Sequence, residues 1–187
     1  MALSKHNTIV HGATGKFGDM IVIRQRAGKT FLVNAPKKRT SPPTEGEQKM
    51  RNTFAKAIHY GKKAIADPET KAIYHAGATN GQTAFNVAVS DFYRPPQINE
   101  IDASDYNTEI GSTIIIDATD NFKVKSVSIR IEHPGGSMIE EGDAIQSRKS
   151  NKWIFTARVT NPNIAGSKII VTAKDMAGNV TKQEIVL

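Results

Sequence analysis

The chain has no cysteine, which excludes disulfides, thiolate zinc sites and cysteine nucleophiles. Aromatic residues are scarce at 6%. In the basic first third they are Phe17, Phe31, Phe54 and Tyr60, a thin supply for stacking single-stranded nucleic acid. No run approaches the roughly eighteen apolar residues that a membrane span needs. The stretch Met1-Ala-Leu-Ser-Lys-His-Asn-Thr-Ile-Val10 lacks the apolar core of a secretory signal. The expectation is a soluble protein, cytoplasmic or part of an assembled particle.

Catalytic patterns are missing too. His6, His11, His59, His75 and His133 never fall at the i, i+4 spacing that places two metal ligands on one helix face. No Gly-x-Ser-x-Gly elbow, phosphate-cradling Walker loop or paired catalytic carboxylates occur. Glu140, Glu141 and Asp143 are neighbours on a strand-like run, where adjacent side chains point to opposite faces and make poor acid/base partners. An enzyme is not expected, and no catalytic, cofactor-binding or metal-ligating residues are assigned. The nearest approach to a metal site is Asp117, Asp120 and Asp175, which could converge at one end of the C-terminal strands to bind calcium; structural turns are the favoured role for them.

Acidic residues are rare where basic ones are dense. Residues 1–64 carry 13 Lys/Arg against Asp19, Glu45 and Glu47, a balance of +10. Residues 65–94 contribute −1 and residues 95–187 contribute −2, completing the chain's +7. A cationic third on a near-neutral remainder points to an anionic partner: nucleic acid, an acidic protein surface, or an acidic face of a neighbouring copy.

The dominant punctuation is Asp91-Phe-Tyr-Arg-Pro-Pro-Gln97. Two successive prolines cannot continue a helix and push the residues before them into extended backbone. Two domains are expected around this junction, residues 1–94 and residues 97–187. In the first, Thr8-Ile9-Val10 is a short strand candidate. Met20–Arg26 and Lys29–Val33 form a hairpin with Gly28 in its turn, placing Ile21 and Ile23 on one face and Val22 and Arg24 on the other. Residues 34–43 leave as an extended basic arm containing Lys37-Lys38-Arg39. Thr44-Glu-Gly-Glu47 has the form of a capping box. It opens an amphipathic helix striped by Met50, Phe54, Ala57, Ile58, Gly61 and Ile65 and ending near Ala66. Asp67-Pro68 caps a second helix to about Ala76, and Gln82–Phe92 forms a third.

From Ile98 the pattern turns to period two, with strands expected at Ile98–Ala103, Thr113–Ala118, Lys125–Glu132, Ser137–Glu140, Trp153–Val159, Lys168–Ala173 and Lys182–Val186. Trp153, with Phe155 or Ile154, is expected to plug a core. The fold class is therefore α+β: an N-terminal hairpin with short helices, then a C-terminal seven-stranded sandwich.

Three resemblances attach to these residues. His11-Gly-Ala-Thr-Gly-Lys-Phe-Gly18 looks like the Gly-Ala-Thr-Gly-x-x-Gly loop of short-chain-dehydrogenase-type proteins. That loop needs a following helix to hold a pyrophosphate, whereas Met20–Gln25 reads as strand, so the glycines are expected to make turns and bind no dinucleotide. Thr172-Ala-Lys-Asp-Met-Ala-Gly-Asn-Val-Thr181, with the turn Asp117-Ala-Thr-Asp-Asn-Phe122, resembles bacterial Ig-like and fibronectin-III-like modules, which implies an Ig-like β-sandwich without its disulfide. Residues 1–94 bear a looser likeness to uncharacterised bacterial and phage proteins, which implies no activity.

The functional expectation is a structural or assembly protein that self-associates, or docks on a filament, shell or phage-like particle, through its basic N-terminal region. Arg24, Arg26, Lys29, Lys37, Lys38 and Arg39 are the expected partner-contact residues. The partners are expected to be copies of the chain or another structural protein. Nucleic-acid binding by the same basic third is the alternative.

Overall fold

A computed structural model describes residues 2–4, 10, 12–26, 28–38, 40–79, 81–148, 150 and 152–187. The chain is mixed α+β and mostly β, with three helices and three four-stranded sheets among the described residues. It divides into two compact units, Met1–Thr53 with Thr79–Gln82, and Phe54–Ala78 with Thr83–Leu187.

The first unit is built on a sheet ordered β1-β4-β3-β2, from β1 (Ala2–Ser4), β2 (Gly15–Phe17), β3 (Ile21–Arg26) and β4 (Lys29–Asn34). The expected hairpin is β3–β4, in register from Ile21↔Asn34 to Arg26↔Lys29. Gly28 in its turn has φ +72°, a conformation that a Cβ would strain. Directly paired residues share a face. Ile21, Ile23 and Leu32 therefore lie with Phe17, while Val22, Phe31 and Val33 lie with Lys16, Arg24, Arg26 and Lys29. Among the described residues of 1–53 the only buried side chain is Thr30, whose hydroxyl accepts from Gln25 Nε2 at 2.8 Å. Phe17 and Met20 are 72% and 79% exposed. Of the expected strand Thr8–Val10, Thr8 and Ile9 lie outside the described residues, and Val10 is a turn.

Helix α1 (Glu45–Ala66) begins at the expected capping box: Thr44 N–H donates to Glu47 Oε2 at 2.8 Å and Glu47 N–H to Thr44 Oγ1 at 3.4 Å. In the second unit its small residues Ala57, Gly61 and Ala64 are buried at i, i+4, i+7 spacing. A Cβ at Gly61 would come within 2.8 Å of Val89 and 2.9 Å of Phe85, so glycine is what admits the third helix so closely. Helix α2 (Pro68–Ala76) is capped by Asp67, which accepts from Thr70 N–H. Helix α3 (Ala84–Tyr93), capped by Thr83, begins two residues after the expected start at Gln82.

The rest of this unit is two antiparallel sheets. One is ordered β5-β6-β10-β9, from β5 (Gln97–Asp102), β6 (Thr113–Thr119), β9 (Ile145–Gln146) and β10 (Lys152–Thr156). The other is β12-β11-β7-β8, from β7 (Val124–Glu132), β8 (Met138–Asp143), β11 (Lys168–Asp175) and β12 (Val180–Val186). Both supply one core, in which Ile114, Ile116 and Phe155 meet Val127, Ile129, Ile131, Ile169 and Val171. Each set alternates along its strand, which gives each sheet one apolar face. Trp153 and Phe155 are buried, whereas Ile154 points outward at 37% exposure.

The seven expected strands are here, with two corrections. An eighth, β9, pairs with β10 across Trp153↔Gln146 and Ile154↔Ile145; two residues are too short a run to show a period. Strand β10 stops at Thr156 rather than Val159. There the backbone N–H groups of Arg158 and Val159 turn onto the buried Glu140 carboxylate, at 3.0–3.1 Å and 3.3 Å. Among the described residues no helix is long and apolar enough to cross a membrane.

Candidate functional site

Three short-range devices in the second unit bring three carboxylates together. Asp91 lies in the last turn of α3 and is fully buried. Asp120 sits in the β6–β7 turn, where its Oδ2 accepts from the N–H groups of Phe122 at 2.8 Å and Lys123 at 3.0 Å. Asp175 ends β11 and closes the turn to β12: its Oδ1 accepts from Asn179 N–H at 2.7 Å and its Oδ2 from Asn179 Nδ2 at 2.7 Å. Gly178 in that turn has φ +90°, which explains the glycine of the Ala-Gly-Asn motif. One oxygen from each carboxylate lies within 4.8 Å of the others.

Helical side chains complete the surroundings. Tyr74 of α2 donates to Asp91 Oδ2 at 2.6 Å, and its hydroxyl lies 2.7 Å from that of Tyr60 on α1. Since Tyr74 gives its one hydrogen to Asp91, the Tyr60–Tyr74 bond is donated by Tyr60. Tyr60 also lies 3.0 Å from the Met176 carbonyl, so its single hydrogen is divided between two acceptors. Phe122 stacks on Tyr74 with ring centroids 4.7 Å apart, and a Cβ on Gly77 would overlap that Phe122 ring. Asn179 Nδ2 reaches the carbonyl of Asp91 at 3.2 Å, which also accepts from Arg94 N–H, and that of Phe92 at 3.3 Å, helping to satisfy the acceptors at the end of α3.

The electrostatics follow from burial. Desolvation pushes the Asp91 carboxyl up to about 7, opposed by the bond from Tyr74 and reinforced by the charges of Asp175 and Asp120 and by a hydrogen bond shared with Asp120. Desolvation also raises Asp175, against the bonds it accepts from Asn179. The Tyr74 phenol is driven far above its ordinary value by burial and by its bonds to Asp91 and Tyr60. Burial raises Tyr60 as well. Such a site can hold a proton or a cation between its carboxylates. Beside it, a cleft of ≈ 420 Å³ is lined by Tyr93, Arg94, Pro95, Gln97, Thr119, Asp120 and Asn121.

Of the three aspartates expected to converge, Asp120 and Asp175 do so and Asp117 does not. Asp117 lies within β6, opposite Lys152 and Glu100 in the ladder. Asp91 takes the third place. No local motif marks Asp91, and Tyr60 and Tyr74 read only as helical residues.

The expected partner-contact residues are not one cluster. Arg24, Arg26 and Lys29 are exposed on one face toward the tip of the β3–β4 hairpin. Lys37 and Lys38 line a separate hollow of ≈ 600 Å³ with Lys16, Asp19 and Met20, past the other end of that hairpin. Arg39 lies outside the described residues. Gly12, Gly15 and Gly18 have φ of +78°, +123° and +58°, and the segment they punctuate runs into strands β2 and β3 rather than a helix.

No family model matches the chain, and no curated protein matches it. A solved structure of an engineered protein is similar over 59% of this chain and 30% of its own length, at 14% identity and a TM-score of 0.33. That likeness carries no argument about fold or function.

Proposed function

We propose that the chain is a non-enzymatic structural protein that assembles with copies of itself, or docks on a larger particle, through its basic N-terminal unit. One observation carries the reading. The β1–β4 sheet bears Phe17, Ile21, Val22, Ile23, Phe31, Leu32 and Val33, yet none of these is buried. A sheet owes its stability to a layer packed on its apolar face, and a second copy supplies such a layer. The cations among these apolar side chains then set partner choice and on-rate, while apolar burial provides most of the free energy.

The C-terminal region is, in this reading, an Ig-like sandwich. Its strand orders support this: β5-β6-β10-β9 and β12-β11-β7-β8 follow the A-B-E-D and G-F-C-C′ orders of that architecture.

A second reading, nucleic-acid binding, draws on the cationic face of Lys16, Arg24, Arg26 and Lys29. Light scattering on nuclease-treated protein, with a DNA titration at two salt concentrations, separates the two. Assembly that is impaired by Phe17→Asp and by the triple change Lys37/Lys38/Arg39→Ala supports the first. Unchanged assembly, together with DNA binding that falls steeply with salt at a log–log slope of about −0.9 per phosphate contact, overturns it for the second.

A further inference from the structure

The carboxylates of Asp91, Asp120 and Asp175 come from three separate parts of the second unit, and their grouping is unusual in its lack of compensation. Among the described residues no lysine, arginine or histidine forms an ion pair with any of them. The oxygens left over after the protein's own bonds are the ones that matter. Asp91 is 0% exposed, and its Oδ1 is buried with no hydrogen-bond partner. Asp120 Oδ1 is likewise buried and unpartnered. Their companion oxygens are already bound, Asp91 Oδ2 by Tyr74 and Asp120 Oδ2 by two backbone N–H groups. Those bonds fix each carboxylate, and one oxygen of each lies in the cluster. Buried oxygens without donors are costly and rare in folded proteins; a proton shared between Asp91 and Asp120 relieves them at acidic pH, and a cation satisfies several at once when the carboxylates are ionised.

We propose that Asp91, Asp120 and Asp175 form a binding site for one divalent cation, calcium by preference, which ties helix α3 to the β6–β7 and β11–β12 turns. The donor set is all oxygen, which suits hard cations and not zinc or copper. Ligands of calcium at about 2.3–2.6 Å stand up to about 5 Å apart, so oxygens within 4.8 Å of one another fit around a single ion. Magnesium holds its ligands at about 2.0–2.1 Å and demands a near-ideal octahedron, which three carboxylates fixed by separate bonds suit less well. Tyr60, Tyr74 and Asn179 act here as positioning residues. The cleft lined by Asp120, Asn121, Thr119 and Arg94 borders the cluster at Asp120. This inference does not depend on the assembly reading, since the site lies wholly within the second unit.

The test uses the full chain, stripped with EDTA and returned to chelator-free buffer at constant pH and ionic strength. Isothermal titration with calcium chloride should show one site per chain, with magnesium weaker. Calcium at a hundredfold excess over its Kd should raise Tm by about 5–10 °C, while potassium chloride of equal ionic strength should not. Terbium should bind with luminescence sensitised by the nearby tyrosines, and calcium should displace it. Asp120→Asn keeps the oxygen that accepts from Phe122 and Lys123, so it should fold, lose the Tm shift and weaken calcium binding by more than tenfold. Asp117→Asn, outside the cluster, should retain both. Absence of saturable calcium binding to the wild-type chain would overturn the proposal, whatever the variants do. So would a Tm shift that survives undiminished in both Asp120→Asn and Asp91→Asn.

Discussion

Replacing Asp91 by asparagine should turn a pH-dependent protein into one that is nearly pH-independent in chelator. Asp91 is fully buried, and burial raises its carboxyl from an ordinary 3.8 to about 7. The folded state therefore keeps a proton that the unfolded chain has already released. A group of this kind contributes stability that is complete below about pH 4 and declines as the pH rises, until the folded-state value near 7 is passed. The shift spans about three units, and at roughly 1.4 kcal/mol per unit the loss approaches 4 kcal/mol. The groups facing Asp91 are Tyr60 of α1, Tyr74 of α2, Asp120, Asp175 and Asn179. Of these, Asp175 is raised in the same direction and leaves a residual slope. Asparagine can still accept from Tyr74 and adds an N–H group to face the other carboxylates. In EDTA, denaturant unfolding followed through Trp153 from about pH 5 to pH 8 should show wild-type stability falling by several kcal/mol. The variant should lose most of that slope and become the more stable protein at the alkaline end. A wild-type curve that is flat or rising over this interval, or a variant with an unchanged slope, would refute the claim that Asp91 is held protonated by burial.

Three further outcomes follow from the same surroundings. Gly77→Ala places a methyl group on the Phe122 ring stacked against Tyr74, and should cost about 1–3 kcal/mol in thermal or denaturant unfolding. Tyr74→Phe keeps the stacking but removes the donor to Asp91; it should cost about 1.5–3 kcal/mol when that carboxyl is ionised, and less at acidic pH. A fragment of residues 97–187 retains the whole shared core, from Tyr106 to Ala173, and should melt cooperatively. It lacks the Tyr60, Asp91 and Phe92 partners of Met176 and Asn179, so its Tm should lie below that of residues 54–187.

Local chemistry explains which parts were legible in the sequence. Helices α1 and α2 announce themselves through the Thr44–Glu47 box and Asp67-Pro68, because capping satisfies backbone groups within a few residues. Helix α3 was blurred at its start, since Phe85, Val87 and Val89 suit a strand as well as a helix and Thr83 was not recognised as its cap. The period-two runs marked the principal strands because each sheet has one buried face. Asp120 and Asp175 were identifiable as turn aspartates with oxygens to offer. Asp117 lies inside the expected strand Thr113–Ala118, and its place in the ladder opposite Lys152 and Glu100 is what keeps it from the cluster that Asp120 joins from the turn beyond. Asp91 could not be found from its neighbours: a helical aspartate looks solvated until the fold closes over it. The burial deficit of the β1–β4 sheet is likewise invisible in sequence, where Ile21–Ile23 and Phe31–Val33 look like ordinary core strands.

The central claim is that this sheet is covered by another copy of the chain. Its most direct test is the molar mass of the nuclease-treated wild-type protein, measured by light scattering across a concentration series. The account expects a mass above that of the 20.4 kDa chain that rises with concentration and falls to the monomer value in Phe17→Asp. A wild-type protein that remains monomeric at every concentration, with a sharp thermal transition and no nucleic acid present, would contradict it.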